Sequence, residues 1–448
     1  MKKKIVSIIC FLCVLVGAFV FYNRPINNID YIKKNSRDLK LNDINDNSDL
    51  DLIWENIKDK SIIFTNKYHA VKENSYIQYK FINYLIDNWD LKYFLVEWGH
   101  ASGVIFNKYL QSGDEKLLDD IFKWEIIEMR NTEEAKEFMK KLYLKNKSLS
   151  EDKKLTIVGL DIAEEQGGVT YYFKNILEEY KEIPKEQLDK MKKVLKYSEL
   201  EWTIGRKSSE FLKSLEDLDK DLEENENIYV KYLGSEGVFD LKLIVNNLKN
   251  NSGINEVFNA PVYVNKDCYE QRDKMNYENF KKIYEHFDGG KYYLHYGTQN
   301  AYQNEINTVK FLGANIKEDS NFKDKIYSIN IIYKEGQCYD YGWLRPKYFY
   351  SITTDLKNTL KEADIEKGSK IIVLDNKRSP YKKKIFKECF SFSDVYEGHE
   401  ILHVNKKLFE TNKGVTTDYF QSIIVIENPT PIKWCWEDFN KRQISNKR

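Results

Sequence analysis

Three apolar runs in this chain each lead into a polar residue able to do chemistry: SIIFTNKYHA into His69, YFLVEW into Glu97, and LTIVGLD into Asp161. A strand that ends on a polar side chain delivers it to the carboxyl edge of a parallel sheet, where open α/β folds build their sites. Two later segments carry groups of the same kind. QRDKMNYEN has helical spacing and holds Arg272, Asp273 and Asn279, and KYYLHYGTQNA sets Asn300 just beyond Gly297. Together these segments predict one cleft. His69 is its natural base, because an imidazole titrates near neutrality and can take a proton from water. Glu97 lies inside FLVEWG, where an unpaired carboxylate is costly, so it needs a partner or a function: orienting the imidazole, tuning it, or sharing a metal ion with it. Arg272 suits the clamping of a carboxylate or an oxyanion. Asp161 is placed to hold Arg272 or His69. Plainer readings stand beside these. A His in a loop after a strand often only caps or hydrogen-bonds, Arg272 and Asp273 read equally as an exposed pair, and Glu73 reads as a helix-terminal acid or as a group reaching the cleft.

In their order, these segments resemble the superfamily that contains erythromycin esterase, the Tiki proteases, TraB and the haem-uptake protein ChaN. Its members are similar to one another in a Gly-Glu-x-x-His segment after the first strand, a Glu ending the next strand, an Arg-x-x-Met-x-x-x-Asn-like helix and a late Gly-x-x-His. Thr65-Asn66-Lys67-Tyr68-His69 stands at the first motif, keeping the His without the Gly-Glu pair. Glu97 matches the strand-end Glu, and Arg272 with Asn279 matches the helix. Gly297-Thr298-Gln299-Asn300 has the spacing of the last motif with Asn in place of His. The likeness runs from about Ile62 to the C-terminal strand and is weakest across 170–260 and the last third. It implies that His69 activates water against an ester or amide carbonyl, with Glu97 and Arg272 in support. Asn66, Glu73, Asp161, Asn279 and Asn300 are then the expected contacts to a small-molecule or peptide ligand. The ChaN likeness would make Tyr68 or Tyr296 a haem ligand, and the Tiki likeness would bring a divalent metal. With Asn at 66 and 300, two of four expected ionisable groups are missing; a carboxamide holds an oxyanion by hydrogen bonding but does not shuttle protons. The remnant is a poor metal site, and no cofactor is expected. A degenerate member that binds a small molecule, peptide or haem without turnover is the competing expectation. No G-x-S-x-G, H-E-x-x-H, P-loop or G-x-G-x-x-G is present, which removes the main support for serine-hydrolase, zincin and nucleotide-binding readings.

The elements that must position these groups follow from patterning. Residues 1–23 hold Lys2, Lys3 and Lys4 followed by an apolar stretch from Ile5 to Tyr22, which predicts an uncleaved signal anchor with the main domain outside the cell membrane, or a secreted domain if the segment is removed. Residues 24–51, rich in Asn, Asp and Lys, read as a tether before a domain over 52–448. Ile77, Phe81, Tyr84 and Leu85 have helical spacing between the runs ending at His69 and Glu97, which predicts a β-α-β unit whose strand ends face the same way and lie close. Charged helical patterns over about 170–260 predict a helical insertion or cap. IYSINIIYK, SKIIVLD and DYFQSIIVIEN supply further strands. The expected fold is thus α/β, a mostly parallel sheet with flanking helices and a helical insertion, preceded by one transmembrane helix. Its 70 basic and 70 acidic side chains cancel, so no overall field draws the chain to nucleic acid. The cysteines include no C-x-x-C pair beyond the anchor, which argues against a zinc ribbon.

Overall fold

The computed structural model describes residues 26–124, 132–200, 208–250, 266–306, 309–340, 345–390 and 414–435. Its centre is an eight-stranded sheet built from β1 (Ser36–Asp38), β2 (Ile62–Lys67), β3 (Tyr93–Gly99), β4 (Thr156–Asp161), β5 (Tyr292–Gly297), β6 (Ile326–Tyr333), β9 (Lys370–Val373) and β10 (Ser422–Ile426) in the order β1-β9-β10-β6-β2-β5-β3-β4; β7 (Gly336–Asp340) and β8 (Arg345–Phe349) form a separate antiparallel pair. The six strands from β10 to β4 are mutually parallel, and β9 alone runs against its two neighbours. Parallel strands covered on both faces read as continuous apolar runs, and β2, β5, β6 and β10 are buried almost throughout.

Helix α1 (Glu73–Trp89) covers one face. Ile77, Phe81, Tyr84 and Leu85 face Ile63, Phe94 and Tyr293 in one core cluster, and Asp90 in the left-handed conformation, φ 57°, ends the helix. On the other face α7 (Lys266–His286) brings Phe280 and Ile283 against Phe64, Leu95, Leu294 and Tyr296. Helix α2 (His100–Ser112) follows β3 and lies very close to β4, since a Cβ on Gly103 would come within 2.2 Å of the Gly159 nitrogen. Between β4 and β5 the chain forms α3 (Gln166–Glu179), α4 (Lys185–Leu200), α5 (Ser209–Glu224) and α6 (Glu226–Asn250), with their own apolar core around Phe173, Met191, Leu215 and Leu241 that docks on Ala101 of α2. Helices thus occupy the stretch expected to be a helical insertion, and they pack beside α2.

Two expectations change. The stretch 26–51, read as a tether, is folded: a helix spans Asn28–Lys34 with Tyr31 and Ile32 fully buried, and β1 pairs antiparallel with β9 at the sheet edge. Its polar composition is that of a short edge strand and its turns, and the buried side chains of Tyr31, Ile32, Leu39 and Leu50 tie it down. Second, β2 and β3 are parallel as the β-α-β pattern predicts, yet they do not pair with each other; β5 lies between them and bonds to both. Residues 1–23, expected to form a signal anchor, fall outside the described residues. Among the described residues no helix is long and apolar enough to cross a membrane.

Candidate functional site

The carboxyl ends of β2, β5, β3 and β4 lie side by side and carry the polar groups singled out by sequence. With β5 interposed, the strands that present His69 and Glu97 are about 10 Å apart, two strand spacings. Gly297 ends β5 without a side chain, and the space this leaves is where the neighbours converge. A Cβ built on Gly297 would lie 3.3 Å from Asn300 Nδ2, 3.5 Å from Glu97 Oε1 and 3.6 Å from His69 Nε2. Imidazole, carboxylate and carboxamide therefore surround one point above the sheet edge.

Each group is positioned by a local cause. Between β3 and β4 the register advances from Val96↔Gly159 to Gly99↔Asp161, one residue more on β3 than on β4. This bulge re-aims Glu97 out of the strand alternation, as bulges beside sites do. The Gly297 backbone N–H donates to Glu97 Oε2 at 3.0 Å, Lys67 Nζ lies 3.5 Å from that oxygen, and Arg272 NH2 lies 3.5 Å from Oε1. Two cations and a backbone donor thus hold this side chain. Arg272 is 9% exposed and its main partner is Asp161: Nε donates to Oδ1 at 3.2 Å, and the second guanidinium nitrogen donates to Oδ2. Burial opposes its charge, but Asp161 and Glu97 together hold its pKa well above the ordinary value. A helix face sets this up. Arg272, Asn276 and Asn279 are three and four residues apart and all meet the end of β4, through Asp161, the Ile162 N–H and the Leu160 carbonyl respectively. The plain reading of Arg272 and Asp273 as an exposed pair is thereby excluded; Asp273 is fully buried, accepts from the Leu312 N–H at 3.0 Å, and is pushed up to about 7 by burial.

Of the expected ligand contacts, Asn300 faces the convergence point and Asp161 holds Arg272. The others act elsewhere. Asn66 is fully buried and spent on the sheet: its amide donates to Asn330 Oδ1 and its oxygen accepts from the Ile331 N–H, bridging β2 to β6 just beyond their last paired residues, Thr65 and Ile329. Glu73 turns away to the C-terminal loop, accepting from the Thr430 N–H at 2.9 Å and the Thr430 hydroxyl at 2.6 Å. Asn279 donates to the Leu160 carbonyl at 3.3 Å and to Asn247 of α6 at 2.9 Å, fastening α7 and giving no contact to the cleft. Tyr68 stacks on Phe349 at 4.3 Å between ring centroids, and Tyr296 is buried with its hydroxyl donating to the Val96 carbonyl, which keeps that oxygen from a haem iron. Nor does the donor set fit a divalent cation. Lys67 and Arg272 already flank Glu97, and among the described residues no three His, Cys, Asp or Glu side chains converge.

Sequence reasoning missed Lys67, and it also missed two buried acids. Glu164 accepts from the His100 and Ala101 N–H groups and from Asn247, and Glu165 accepts from the Gly99 N–H and the Ser102 hydroxyl. Together they cap the N-terminus of α2. Their signal was legible: two consecutive acids between an apolar strand and the helix-opening QGGV. Burial pushes Glu164 up to about 7 against these donors. His100 donates from both ring nitrogens, to the Gly159 carbonyl at 2.9 Å and to Asp240 at 2.7 Å; burial opposes its charge, but Asp240 raises its pKa.

No family model matches the chain, and no curated protein sequence does. Solved structures do. A Bacillus cereus protein superposes with a TM-score of 0.60 at 16% identity, covering 92% of this chain and 100% of its own. A succinoglycan biosynthesis protein gives 0.62 at 15% identity, with 91% and 98% covered. An erythromycin esterase, EreC, as a His-to-Asn mutant in its open conformation, gives 0.58 at 13% identity, with 91% and 97% covered. The chain thus has the fold seen in an erythromycin esterase over nearly its whole length, in agreement with the order of its motifs.

Proposed function

We propose that this chain is a hydrolase that directs water onto an ester or amide carbonyl over Gly297. The observation that carries the reading is the convergence of His69 Nε2, Glu97 Oε1 and Asn300 Nδ2 around the missing side chain of that glycine. His69 takes a proton from the attacking water as the C–O bond forms, and returns it to the leaving oxygen or nitrogen as that bond breaks. Glu97, fixed by Lys67, Arg272 and the Gly297 N–H, stabilises the imidazolium in between. Asn300 donates to the carbonyl oxygen as it gains charge. Arg272 works by holding Glu97 in place, since Asp161 already occupies its fork. The proposal includes a location outside the membrane, resting on Lys2, Lys3, Lys4 and the apolar run that follows.

A second reading, ligand binding without turnover, draws on Asn300, a carboxamide where proton transfer would favour an imidazole. One experiment separates the two. The full-length protein is assayed on a panel of esters, lactones and peptides, with and without added divalent metal, beside His69→Ala. The hydrolase reading expects turnover that the substitution abolishes. A silent panel, or turnover that survives His69→Ala, overturns it.

A further inference from the structure

Beneath the convergence point lies an imidazole to which the mechanism so far gives no task. His295 is two residues before Gly297 on β5, so both are on one face of the strand; between the ring and the space over Gly297 the strand itself interposes no side chain. His295 is 2% exposed. Its Nδ1 lies 2.7 Å from Thr65 Oγ1, which in turn lies 2.8 Å from the Tyr293 hydroxyl. Its Nε2 is buried and has no hydrogen-bond partner among the described residues.

The hydroxyl relay favours one tautomer. Thr65 Oγ1 is the acceptor within reach of the Tyr293 hydroxyl, so the phenol donates to it. Thr65 then donates its own proton to Nδ1 at 2.7 Å in preference to the Leu294 carbonyl at 3.5 Å. With the relay running this way Nδ1 accepts and the ring proton sits on Nε2; the opposite tautomer would leave Thr65 only the longer bond to the Leu294 carbonyl. An N–H left unmade in a buried place costs about 1–3 kcal/mol, and its surroundings are those of the site: Lys67 from β2, Glu97 from β3 with Arg272 behind it, and His69 from the loop after β2. Burial, joined by Lys67 and His69 and opposed by Glu97, holds the ring well below the usual histidine range. A neutral imidazole N–H is a suitable donor to a carbonyl or oxyanion oxygen, because it keeps its proton throughout.

We propose that His295 is a donor in the floor of this site, its Nε2–H receiving an oxygen of the ligand held over Gly297. The assignment rests on the hydrolytic reading of the same site, for which it supplies a second donor beside Asn300. It also explains the Thr65–Tyr293 relay as the device that sets the proton on the useful nitrogen.

The test uses the full-length chain with isotope-labelled histidine. With six histidines in the sequence, each resonance is assigned by single substitution. Expected is a neutral Nε2–H tautomer at His295 from about pH 5 to 9, far beyond the range of an ordinary imidazole. Tyr293→Phe is expected to mix the tautomers. Phenylphosphonate, which presents the oxygens of a tetrahedral intermediate, should move the Nε2 proton downfield. His295→Phe should weaken its binding about tenfold, the loss of one hydrogen bond, and His295→Gln should restore most of it. A ring that titrates in that range, a proton on Nδ1, or a signal unmoved by phenylphosphonate overturns the assignment. A silent substrate panel with a shifted Nε2 proton would instead sink the hydrolase reading and leave the donor assignment standing.

Discussion

Gly297→Ala separates the site from the fold. Gly297 has φ −55° and ψ 158°, a backbone that any L-residue adopts, so alanine introduces no strain there. Replacing glycine in a compatible conformation stabilises by about 0.4–1 kcal/mol through the unfolded chain. Against this, the new methyl would meet Asn300 Nδ2 at 3.3 Å, Glu97 Oε1 at 3.5 Å and His69 Nε2 at 3.6 Å, of which only the first requires a small adjustment. Net stability is therefore expected to change by no more than about 1 kcal/mol, and the melting temperature by about 2 °C. The Gly297 N–H still donates to Glu97. Function is another matter, because the methyl intrudes on the space over Gly297 that the attacked carbonyl approaches and displaces it by about 1 Å or more. Misplacement on that scale costs about a hundredfold in rate, equivalent to about 2.7 kcal/mol. The assay is urea unfolding followed by circular dichroism, alongside kcat/KM on the best substrate of the panel. Wild-type activity in a stable Gly297→Ala would refute the placement of the site over this glycine. A protein that loses stability and activity together would show the residue to be needed for the fold instead.

Three further outcomes follow from the buried polar groups. Asn66→Glu, which installs the acid of the family motif, is expected to destabilise by about 3 kcal/mol and confer no activity, because a longer, charged side chain replaces the bridge to Asn330 and Ile331; a stable, more active variant in urea melts and the panel assay would overturn the sheet-bridging role. Asp161→Asn leaves Arg272 without its main counter-charge and should cost about 3–5 kcal/mol by urea unfolding, and a loss below about 1 kcal/mol would show that Glu97 alone satisfies the guanidinium. Asp273 is raised from 3.8 to about 7, so the native state holds the extra proton: its favourable contribution is present below pH 3.8 and is lost as pH climbs to about 7. Asp273→Asn should flatten that slope and be more stable than wild type above pH 7 by about 1–3 kcal/mol; parallel pH profiles for the two proteins would refute it.

The strand ends were legible because fully covered parallel strands are short apolar runs, and the polar residue that closes each run marks the sheet edge. Facing was not. β2 is buried on both sides, so no alternation distinguishes Asn66, which turns into the sheet, from Lys67, which reaches the cleft. Glu97 owes its direction to one extra residue in β3 against β4, a property of the pair that neither sequence carries alone. Glu73 had two readings, and the residue that decided between them, Thr430, is 357 positions away. β1 is three polar residues long and becomes a strand only through β9. The order of motifs carried the fold because it records which strand ends meet; the spatial insertion of β5 between β2 and β3 lies outside what local patterns contain.

That insertion has a consequence for how the molecule is made. Glu97 and the Gly297 nitrogen that holds it are separated by 200 residues. At about 5–20 residues per second, a ribosome needs about 10–40 s to pass from β3 to β5. Throughout that interval β2 and β3 lack the strand that joins them, and their edges are open to each other and to any neighbouring chain. A nascent chain stopped before Tyr292 would contain His69, Glu97, Asp161 and Arg272 and still have no site, because the strand that seats them is the last of the four to arrive.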